Sequence, residues 1–265
     1  MNQDQFEFYL FSASYKLAQK LYYTGFLRAV FVEERHFNQD LFNFASLRDI
    51  PLYIANTIHD LDEMLEQNIA KKNAVGISFG TGLIFKNRHI GLFKHGIWNI
   101  HPGKLPQNRG RHPISWSFIN NDDYFYVSIH LINEQLDQGS LIHEERIERD
   151  INDVQIDIQN KIEYLLANDF LDNAIRNYKK SKLTVLEVGR YNPHLIGKFR
   201  DINPENYSAK ELYSIFKSQI HYGPVTVQGV NYVSCNFYSK HLKYDHSDII
   251  EARDGIKLIM RRDER

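Results

Sequence analysis

Short apolar runs alternate with helical patterns through the first half of the chain. Apolar residues recur at helical spacing in Ser12–Tyr23 and Ile58–Ala70, so both segments predict helices. Short apolar runs predict strands at Phe6–Phe11, Leu27–Val32, Pro51–Ile54, Ala74–Ser78 and Gly96–Ile100. Strands that alternate with helices indicate a mostly parallel sheet covered by helices. The predicted fold class is therefore α/β, with a Rossmann-like, mostly parallel sheet and flanking helices.

The second half of the chain changes character near residue 190. Before that point, the pattern predicts a helix at Pro113–Ile119, strands at Tyr124–Ile132 and Leu141–Ile147, and one long helix at Val154–Tyr178. After it, a looser stretch leads to a capped helix at Ser208–Ile220 and to short strands at Val225–Val227, Tyr232–Phe237 and Ile256–Met260. We therefore predict a main domain over residues 1–190 and a small C-terminal α+β appendage over residues 191–265.

The last strand-like run bears on the oligomeric state. The segment Gly255–Met260 lies close to the end of the chain, where it could form an exposed sheet edge. An exposed edge offers unpaired backbone groups to a second copy. We therefore predict a homodimer.

The overall charge is close to neutral. The 265 residues include 32 Lys and Arg against 33 Asp and Glu. Broad nucleic-acid binding needs clustered basic residues that displace counterions, so this balance argues against a nucleic-acid partner. The single cysteine, Cys235, excludes an internal disulfide and is expected to be a small buried side chain. No secretory signal or membrane-spanning run is visible, so we predict a cytoplasmic protein without a membrane partner.

Three polar side chains suit the transfer of an acyl group between nitrogens. Asn99 and His101 lie two residues apart at the end of a predicted strand, so they project to the same side. Pro102-Gly103 ends that strand, and ligands of open α/β sheets bind at the carboxyl ends of strands. Asp137 follows in the later segment LDQG. Position and chemistry together make these three residues the candidate catalytic group.

Each of these side chains has a role in such a reaction. An amide N–H of Asn99 can stabilise the oxyanion that forms when an amine attacks a formyl group. His101, with an ordinary pKa of about 6.5, can take up or release a proton. Asp137 can orient the imidazole and favour its charged form, and Gly139 lets the backbone approach a bound ligand. The alternative is that Asn99 and His101 satisfy backbone groups and that Asp137 is a turn residue.

This chemistry requires no metal. His112, His130 and His143 lie near the candidate residues in the sequence, but their spacing matches no common pattern of metal ligands. We therefore predict no metal site.

The run NIHPGKLPQNRGRHP, which begins at Asn99, resembles the formyltransferase family that uses N10-formyltetrahydrofolate. The family's Asn-x-His-Pro element, its Leu-Pro-x-x-Arg-Gly loop and its downstream Leu-Asp-x-Gly all occur here in order. The resemblance implies that residues 1–190 form a formyltransferase catalytic domain and that N10-formyltetrahydrofolate is the formyl donor. It also implies that the catalytic residues are Asn99, His101 and Asp137.

The segment after Ala74–Ser78 resembles the turn with which this family contacts folate. The resemblance assigns cofactor binding to Phe79, Gly80, Gly82, Leu83 and Ile84, together with Gly139. Gly80 and Gly82 could equally punctuate an ordinary loop.

Departures from the family pattern lie beside the catalytic residues and concern the acceptor. Gly103 stands where members often have Ser, and Lys104 stands where many have an apolar residue. The extension Arg111-His112-Pro113 is also unusual. From position and charge, Lys104, Arg109 and Arg111 are predicted to bind the substrate, with bracing of the loop as the alternative role of Arg109.

In size and tail, the chain most resembles the members that formylate nucleotide-linked amino sugars. The segment that begins at Asn203 is similar to the start of the tail in those enzymes. The implied partner is a nucleotide-linked deoxyaminosugar used in surface glycan (lipopolysaccharide O-antigen) synthesis. Methionyl-tRNA, a pseudaminic acid precursor or a peptide-synthetase amino acid are alternative acceptors. A folate-binding module without turnover is the alternative to an enzyme.

Overall fold

The chain divides into two compact units, each built from segments that are separate in the sequence. A computed structural model describes residues 5–69, 73–195, 201–241 and 245–264. The first unit contains the chain up to Arg109 together with Tyr126–Arg146 and Lys161–Arg190. The second unit contains Gly110–Phe125, Ile147–Asn160 and Tyr191–Arg265. One junction falls between residues 190 and 191, and the division into domains 1–190 and 191–265 stays a prediction.

The described residues form the following strands and α-helices. The strands are β1 (Glu7–Phe11), β2 (Phe26–Val32), β3 (Leu52–Ile54), β4 (Ala74–Phe79), β5 (Ile97–His101), β6 (Arg109–Gly110), β7 (Tyr124–Leu131), β8 (Leu141–Glu148), β9 (Tyr191–Asn192), β10 (Val225–Val227), β11 (Val230–Phe237), β12 (Ser247–Glu251) and β13 (Lys257–Arg262). The helices are α1 (Tyr15–Thr24), α2 (Gln39–Ser46), α3 (Ile58–Asn68), α4 (Asn87–Ile90), α5 (Pro113–Ile119), α6 (Gln155–Ala167), α7 (Phe170–Lys179) and α8 (Ala209–Gln219). Within this part of the chain, none of the helices has the length and apolar character needed to cross a membrane.

The larger sheet has seven strands in the order β3-β2-β1-β4-β5-β7-β8. Pairing is parallel from β3 through β2, β1 and β4 to β5, and it becomes antiparallel between β5 and β7. Helices α1, α2 and α3 connect the first four strands, as parallel pairing requires. The predicted α/β class with a mostly parallel sheet is confirmed.

Strand β1 lies in the middle of this sheet. Its residues Phe8 to Phe11 are each no more than 1% exposed. A parallel strand that is covered on both faces carries an unbroken apolar run, because neither set of alternating side chains meets water. The apolar run Phe8–Phe11 is therefore the sequence signature of a central strand.

The predicted long helix Val154–Tyr178 is wrong, because the chain forms two helices, α6 and α7. They are separated at Asn168 and Asp169. The side-chain amide of Asn168 donates to the carbonyl of Tyr164 at 2.7 Å, which replaces the backbone bond that would continue the helix. Phe170 and Leu171 resume the apolar spacing directly afterwards, so the periodicity alone conceals the break.

The apolar pattern missed two helices of the first unit, α2 and α4, and α3 ends earlier than predicted. In α2, the side chain of Asn38 accepts the N–H groups of Asp40 and Leu41, which is the usual chemistry of a helix start. Helix α3 ends at Asn68 in the described residues. Ala70, where the prediction ends, lies outside the described residues.

In the second unit, α8 packs with a four-stranded antiparallel sheet ordered β10-β11-β13-β12. Ser208 is the N-cap of α8: its hydroxyl accepts the N–H of Glu211, while the Glu211 carboxylate accepts the N–H of Ser208. The core of this unit includes Leu212, Tyr232 and Leu258.

The predicted sheet edge at Gly255–Met260 is wrong. Strand β13 lies between β11 and β12 and is paired on both sides. The pattern missed β12, whose residues Ile249 and Glu251 are exposed, because its apolar residues are few. A homodimer stays a prediction, but β13 does not provide an unpaired edge with which a second copy could pair.

Cys235 is buried among the apolar side chains of the second unit. Burial raises the pKa of its thiol to about 12, because the charged thiolate loses solvation. The thiol therefore stays protonated at neutral pH, as expected of a small buried side chain.

Candidate active site

The candidate site is built around β5, which carries Asn99 and His101 near its carboxyl end. Strand β5 pairs with β4 on one side and with β7 on the other. The antiparallel register places Asn99 opposite His130 and His101 opposite Ser128. Directly opposed residues of neighbouring strands have their side chains in contact range. The pairing with β7 therefore brings a second histidine to the site.

A backbone carbonyl and a carboxylate flank the His101 ring, which is 4% exposed. Its Nε2 lies 2.7 Å from the carbonyl oxygen of Asn108, and a carbonyl can only accept, so Nε2–H donates. The lone pair of the neutral ring is then on Nδ1. Nδ1 lies 3.8 Å from a carboxylate oxygen of Asp137, which is an ion-pair distance and too long for a hydrogen bond. The Asn108 carbonyl thus holds the Nε2 side of the ring, and orientation of the ring by Asp137 stays a prediction.

His130 is the functional candidate that sequence reasoning missed as part of this site. Its Nδ1 lies 2.9 Å from the carbonyl oxygen of Leu131, so Nδ1–H donates and Nε2 is an acceptor in the neutral ring. The side-chain amide of Asn99 donates to that Nε2 at 3.2 Å. The amide nitrogen of Asn99 has two hydrogens, so one N–H is left for a ligand.

Asp137 connects the two histidines. Its carboxylate lies 3.5 Å from Nε2 of His130 and 3.8 Å from Nδ1 of His101. The structure therefore brings the three predicted residues, Asn99, His101 and Asp137, together with His130. We call these four residues the catalytic cluster. The roles of its members in catalysis stay predictions.

The pKa of His101 is lowered from its ordinary value of 6.5, and burial is the main cause. The carboxylate of Asp137 and the Asn108 carbonyl oppose this shift, whereas the neighbouring His130 adds to it. The neutral form therefore dominates at neutral pH. A neutral ring with its lone pair on Nδ1 can accept a proton, and Asp137 stabilises the cation that results.

The loop that carries Asp137 has an unusual backbone. Asp137 has a φ of +53°, a conformation that Asp and Asn tolerate better than most other side chains. At Gly139, a Cβ would lie 1.7 Å from the carbonyl oxygen of Leu131, so only glycine fits. The close approach that the sequence suggested at Gly139 is thus to the end of β7. Contact between Gly139 and a cofactor stays a prediction.

Arg109 braces this loop from the other side. Its guanidinium donates to the carbonyl of Leu136 at 2.9 Å and to that of Gly189 at 3.4 Å. The side chain is buried. These contacts correspond to the bracing alternative, and a contact with the substrate stays a prediction.

The other two predicted substrate residues are exposed. Lys104 places its ammonium group 4.7 Å from the centre of the Tyr126 ring, which is a cation–π distance. Arg111 belongs to the second unit, where its backbone N–H donates to Asn192. Substrate binding by both residues stays a prediction.

The predicted cofactor turn, Phe79–Ile84, follows β4 directly. Gly80 is exposed with a φ of +67°, and a Cβ there would meet no atom within 4 Å. Ile84 is 67% exposed. The turn therefore has open backbone at Gly80 and an exposed apolar side chain at Ile84, and cofactor binding by the turn stays a prediction.

His112 and His143, the other two histidines considered as metal ligands, have different surroundings. His112 precedes α5, and its Nδ1 lies 3.1 Å from the hydroxyl of Tyr222. His143 contacts Glu145 at 2.8 Å. Among the described residues, no group of three or more His, Cys, Asp or Glu has the geometry to hold a metal ion.

Comparison with known sequences identifies a family. The sequence pattern of the formyl transferase family matches residues 35–171, more than half of the chain. Methionyl-tRNA formyltransferase of Prochlorococcus marinus strain MIT 9312 is 31% identical over an alignment of 153 residues, gaps included, that covers 54% of this chain and 47% of that protein. The chain thus spans about half the length of the curated relatives that it matches.

Two solved structures resemble nearly the whole chain. WlaRD, a sugar 3N-formyl transferase solved with dTDP and 5-N-formyl-THF, superposes with a TM-score of 0.77 at 17% identity, covering 98% of this chain and 99% of that one. The N-formyltransferase of Helicobacter canadensis, solved with folinic acid and dTDP-3-aminofucose, has a TM-score of 0.75 at 17% identity, covering 97% and 100%. At such identity the likeness concerns the fold. Since the family pattern covers more than half of its residues, the chain belongs to the formyl transferase family.

Proposed function

We propose that this protein transfers a formyl group from N10-formyltetrahydrofolate to the amine of a nucleotide-linked deoxyaminosugar. The observation that carries the proposal is the catalytic cluster near the carboxyl end of β5, in which Asp137 faces His101 directly and His130 links Asp137 to Asn99. The cluster combines an N–H donor, a neutral base and a counter-charge. These are the groups that attack of an amine on a formyl carbon requires.

Bound N10-formyltetrahydrofolate would supply the formyl group. In the proposed reaction, Nδ1 of His101 accepts the proton that the attacking amine loses as it bonds to the formyl carbon. The remaining N–H of Asn99 donates to the formyl oxygen while that oxygen gains negative charge. The carboxylate of Asp137, 3.8 Å away, stabilises the imidazolium, which returns the proton to the departing nitrogen.

The turn Phe79–Ile84 is the proposed binding site of the donor. Open space above Gly80 and the exposed side chain of Ile84 suit a flat, partly apolar ligand. The turn follows β4, the strand that neighbours β5, so donor and catalytic cluster belong to the same edge of one sheet. This position matches the general rule for ligands of open α/β sheets.

A sugar acceptor is supported by the extent of the structural likeness. Both solved structures named above match this chain over nearly all of their length. Methionyl-tRNA is the second candidate acceptor, because the curated relatives are methionyl-tRNA formyltransferases. The balance of 32 basic and 33 acidic residues favours the small molecule, since RNA binding depends on excess positive charge.

The decisive experiment offers both kinds of acceptor to the purified protein. We would incubate it with N10-formyltetrahydrofolate and a panel of nucleotide-linked 3-amino and 4-amino deoxysugars, and in parallel with methionyl-tRNA. Product mass and release of tetrahydrofolate are measured. A gain of one formyl group on a sugar supports the proposal, whereas formylation of methionyl-tRNA alone contradicts the sugar acceptor.

The control is the variant His101→Asn under the same conditions. Formylation that persists at the wild-type rate in this variant would contradict the catalytic assignment. Folate binding without transfer to any acceptor would point to a binding module. A cytoplasmic location and a homodimeric state belong to the proposal and are checked by cell fractionation and light scattering.

A further inference from the structure

A buried carboxylate outside the catalytic cluster accepts hydrogen bonds from the turn Phe79–Ile84. Glu33, which directly follows β2, is 8% exposed. One of its oxygens accepts the backbone N–H of Gly82 at 2.7 Å and the hydroxyl of Thr81 at 3.1 Å. Its other oxygen accepts from the guanidinium of Arg35 at 2.7 Å. Three donors thus converge on one carboxylate, and two of them belong to the turn.

The hydrogen bonds between Glu33 and the turn span the end of β1. The turn follows β4 and Glu33 follows β2, while β1 lies between those two strands in the sheet. The hydroxyl of Thr81 also accepts the N–H of Leu83 at 3.2 Å. A single side chain therefore ties the backbone from Thr81 to Leu83 to a separate part of the sheet edge.

Gly82 completes the arrangement. A Cβ at this position would lie 2.5 Å from Nη2 of Arg35 and 3.2 Å from Glu33. With glycine at this position, the guanidinium of Arg35 lies directly over the backbone of the turn while it pairs with Glu33.

Burying a carboxylate is costly, and its bonds to neighbours only offset that cost. An apolar residue at position 33 would cover the sheet edge more cheaply, so stability alone does not account for Glu33. What the carboxylate adds is one defined conformation of a turn whose outer side is open. Holding a binding loop in its bound conformation raises affinity, because less ordering remains to be done when the ligand binds.

We propose that Glu33 is a positioning residue that holds the turn Phe79–Ile84 in the conformation that binds the formyl donor, with Arg35 as its support. This inference rests on the proposed function. Glu33 does not touch the reacting atoms. It acts through Thr81 and Gly82, so its loss should affect donor binding far more than the rate of the bound complex.

The test compares Glu33→Gln with Glu7→Gln. Glu7 is a matched control, because it pairs with Arg28 at 2.7 Å at the opposite, amino-terminal end of β1. The probes are tetrahydrofolate binding by calorimetry, and KM and kcat for N10-formyltetrahydrofolate with a working acceptor. For Glu33→Gln we expect the dissociation constant and the donor KM to rise about tenfold, the loss of one charge-assisted bond. We expect kcat and the acceptor KM to stay near wild type, and Glu7→Gln to resemble wild type throughout.

A second variant, Thr81→Val, removes one bond of the turn while Glu33 keeps its pairing with Arg35. It should raise the donor KM by a smaller factor, and it keeps the inference testable if Glu33→Gln folds poorly by circular dichroism. Unchanged tetrahydrofolate binding in both variants would overturn the role of Glu33 and leave the proposed function standing. If the wild-type protein itself fails to bind tetrahydrofolate, the proposed function fails, and this inference fails with it.

Discussion

At His101, different groups act on the two nitrogens of one buried ring. The Asn108 carbonyl fixes the proton on Nε2, and the carboxylate of Asp137 faces Nδ1 from 3.8 Å. The ring can therefore accept a proton only on the side of the carboxylate. His130 places a second buried imidazole 3.5 Å from the same carboxylate, so Asp137 faces two imidazole rings.

Replacing His101 should remove most of the activity. In His101→Asn we expect kcat to fall about 10²- to 10⁴-fold, the range of general acid–base catalysis, with the fold retained. Steady-state kinetics and circular dichroism measure the two effects. His143→Gln is the matched control, because His143 is partly buried and pairs with Glu145 away from the cluster. Equal losses in both variants would speak for a structural effect.

The pH profile should respond in opposite directions to the two neighbours of His101. Removing His130 takes away a lowering influence on the pKa of His101, and removing Asp137 takes away a raising one. We therefore expect the acidic limb of kcat/KM to move to higher pH in His130→Gln and to lower pH in Asp137→Asn. Activity measured between pH 5 and 8 tests this. A shift in the same direction in both variants would contradict His101 as the base.

At the scale of elements, the site depends on two contacts between segments that are distant in the sequence. The antiparallel register of β5 and β7 sets Asn99 against His130. The guanidinium of Arg109 joins the loop after β5 to the carbonyl of Leu136, next to Asp137. Gly139 allows that loop to pass close to the end of β7, because a Cβ there would lie 1.7 Å from the carbonyl oxygen of Leu131.

Substitutions of Arg109 and Lys104 should show whether Arg109 braces the loop or binds the substrate. If Arg109 braces the loop, Arg109→Ala lowers kcat about tenfold and lowers the melting temperature, because buried carbonyls lose a charged donor, while the acceptor KM stays unchanged. The exposed Lys104 is the comparison, and Lys104→Ala should leave the melting temperature unchanged. A raised acceptor KM in Arg109→Ala, without loss of stability, would instead favour direct substrate binding.

At the scale of the whole molecule, one buried and two partly buried histidines make stability depend on pH. Burial lowers the pKa values of His95, His101 and His112 below 6.5 in the folded chain. The unfolded chain therefore binds more protons than the folded chain once the pH falls below about 6.5. The contribution of these histidines to the free energy of unfolding is therefore complete above that pH. It declines as the pH falls towards their lowered pKa values in the folded chain.

We expect the free energy of unfolding to decrease between pH 7 and pH 5, and to decrease less steeply in His101→Asn. Each fully linked proton contributes about 1.4 kcal/mol per pH unit. Urea unfolding at a series of pH values measures the slope. His59→Asn is the control, because His59 is exposed on α3. An identical slope in the wild type and His101→Asn would mean that burial does not hold His101 neutral.

Much of the fold and part of the site followed from local patterns. The unbroken apolar run of β1, the helix spacing of α1 and α3, and the Asn-x-His-Pro element are all encoded within short windows. The wrong predictions have one cause in common. The break between α6 and α7 depends on one amide at Asn168, and the place of β13 inside its sheet depends on the partner β12. Neither changes the apolar spacing by which such elements are predicted.

The sequence by itself determined the α/β class, the family, and the choice of Asn99, His101 and Asp137 as catalytic candidates, because periodicity and short motifs are properties of neighbouring residues. Only the tertiary structure decided that His130 joins them, that the Asn108 carbonyl holds the Nε2 side of His101, that Arg109 braces the loop and that Glu33 accepts hydrogen bonds from the turn after β4. Each of these contacts joins segments that meet through strand order, register or the path of a loop. Such pairings depend on how the whole sheet assembles, and no local pattern carries them.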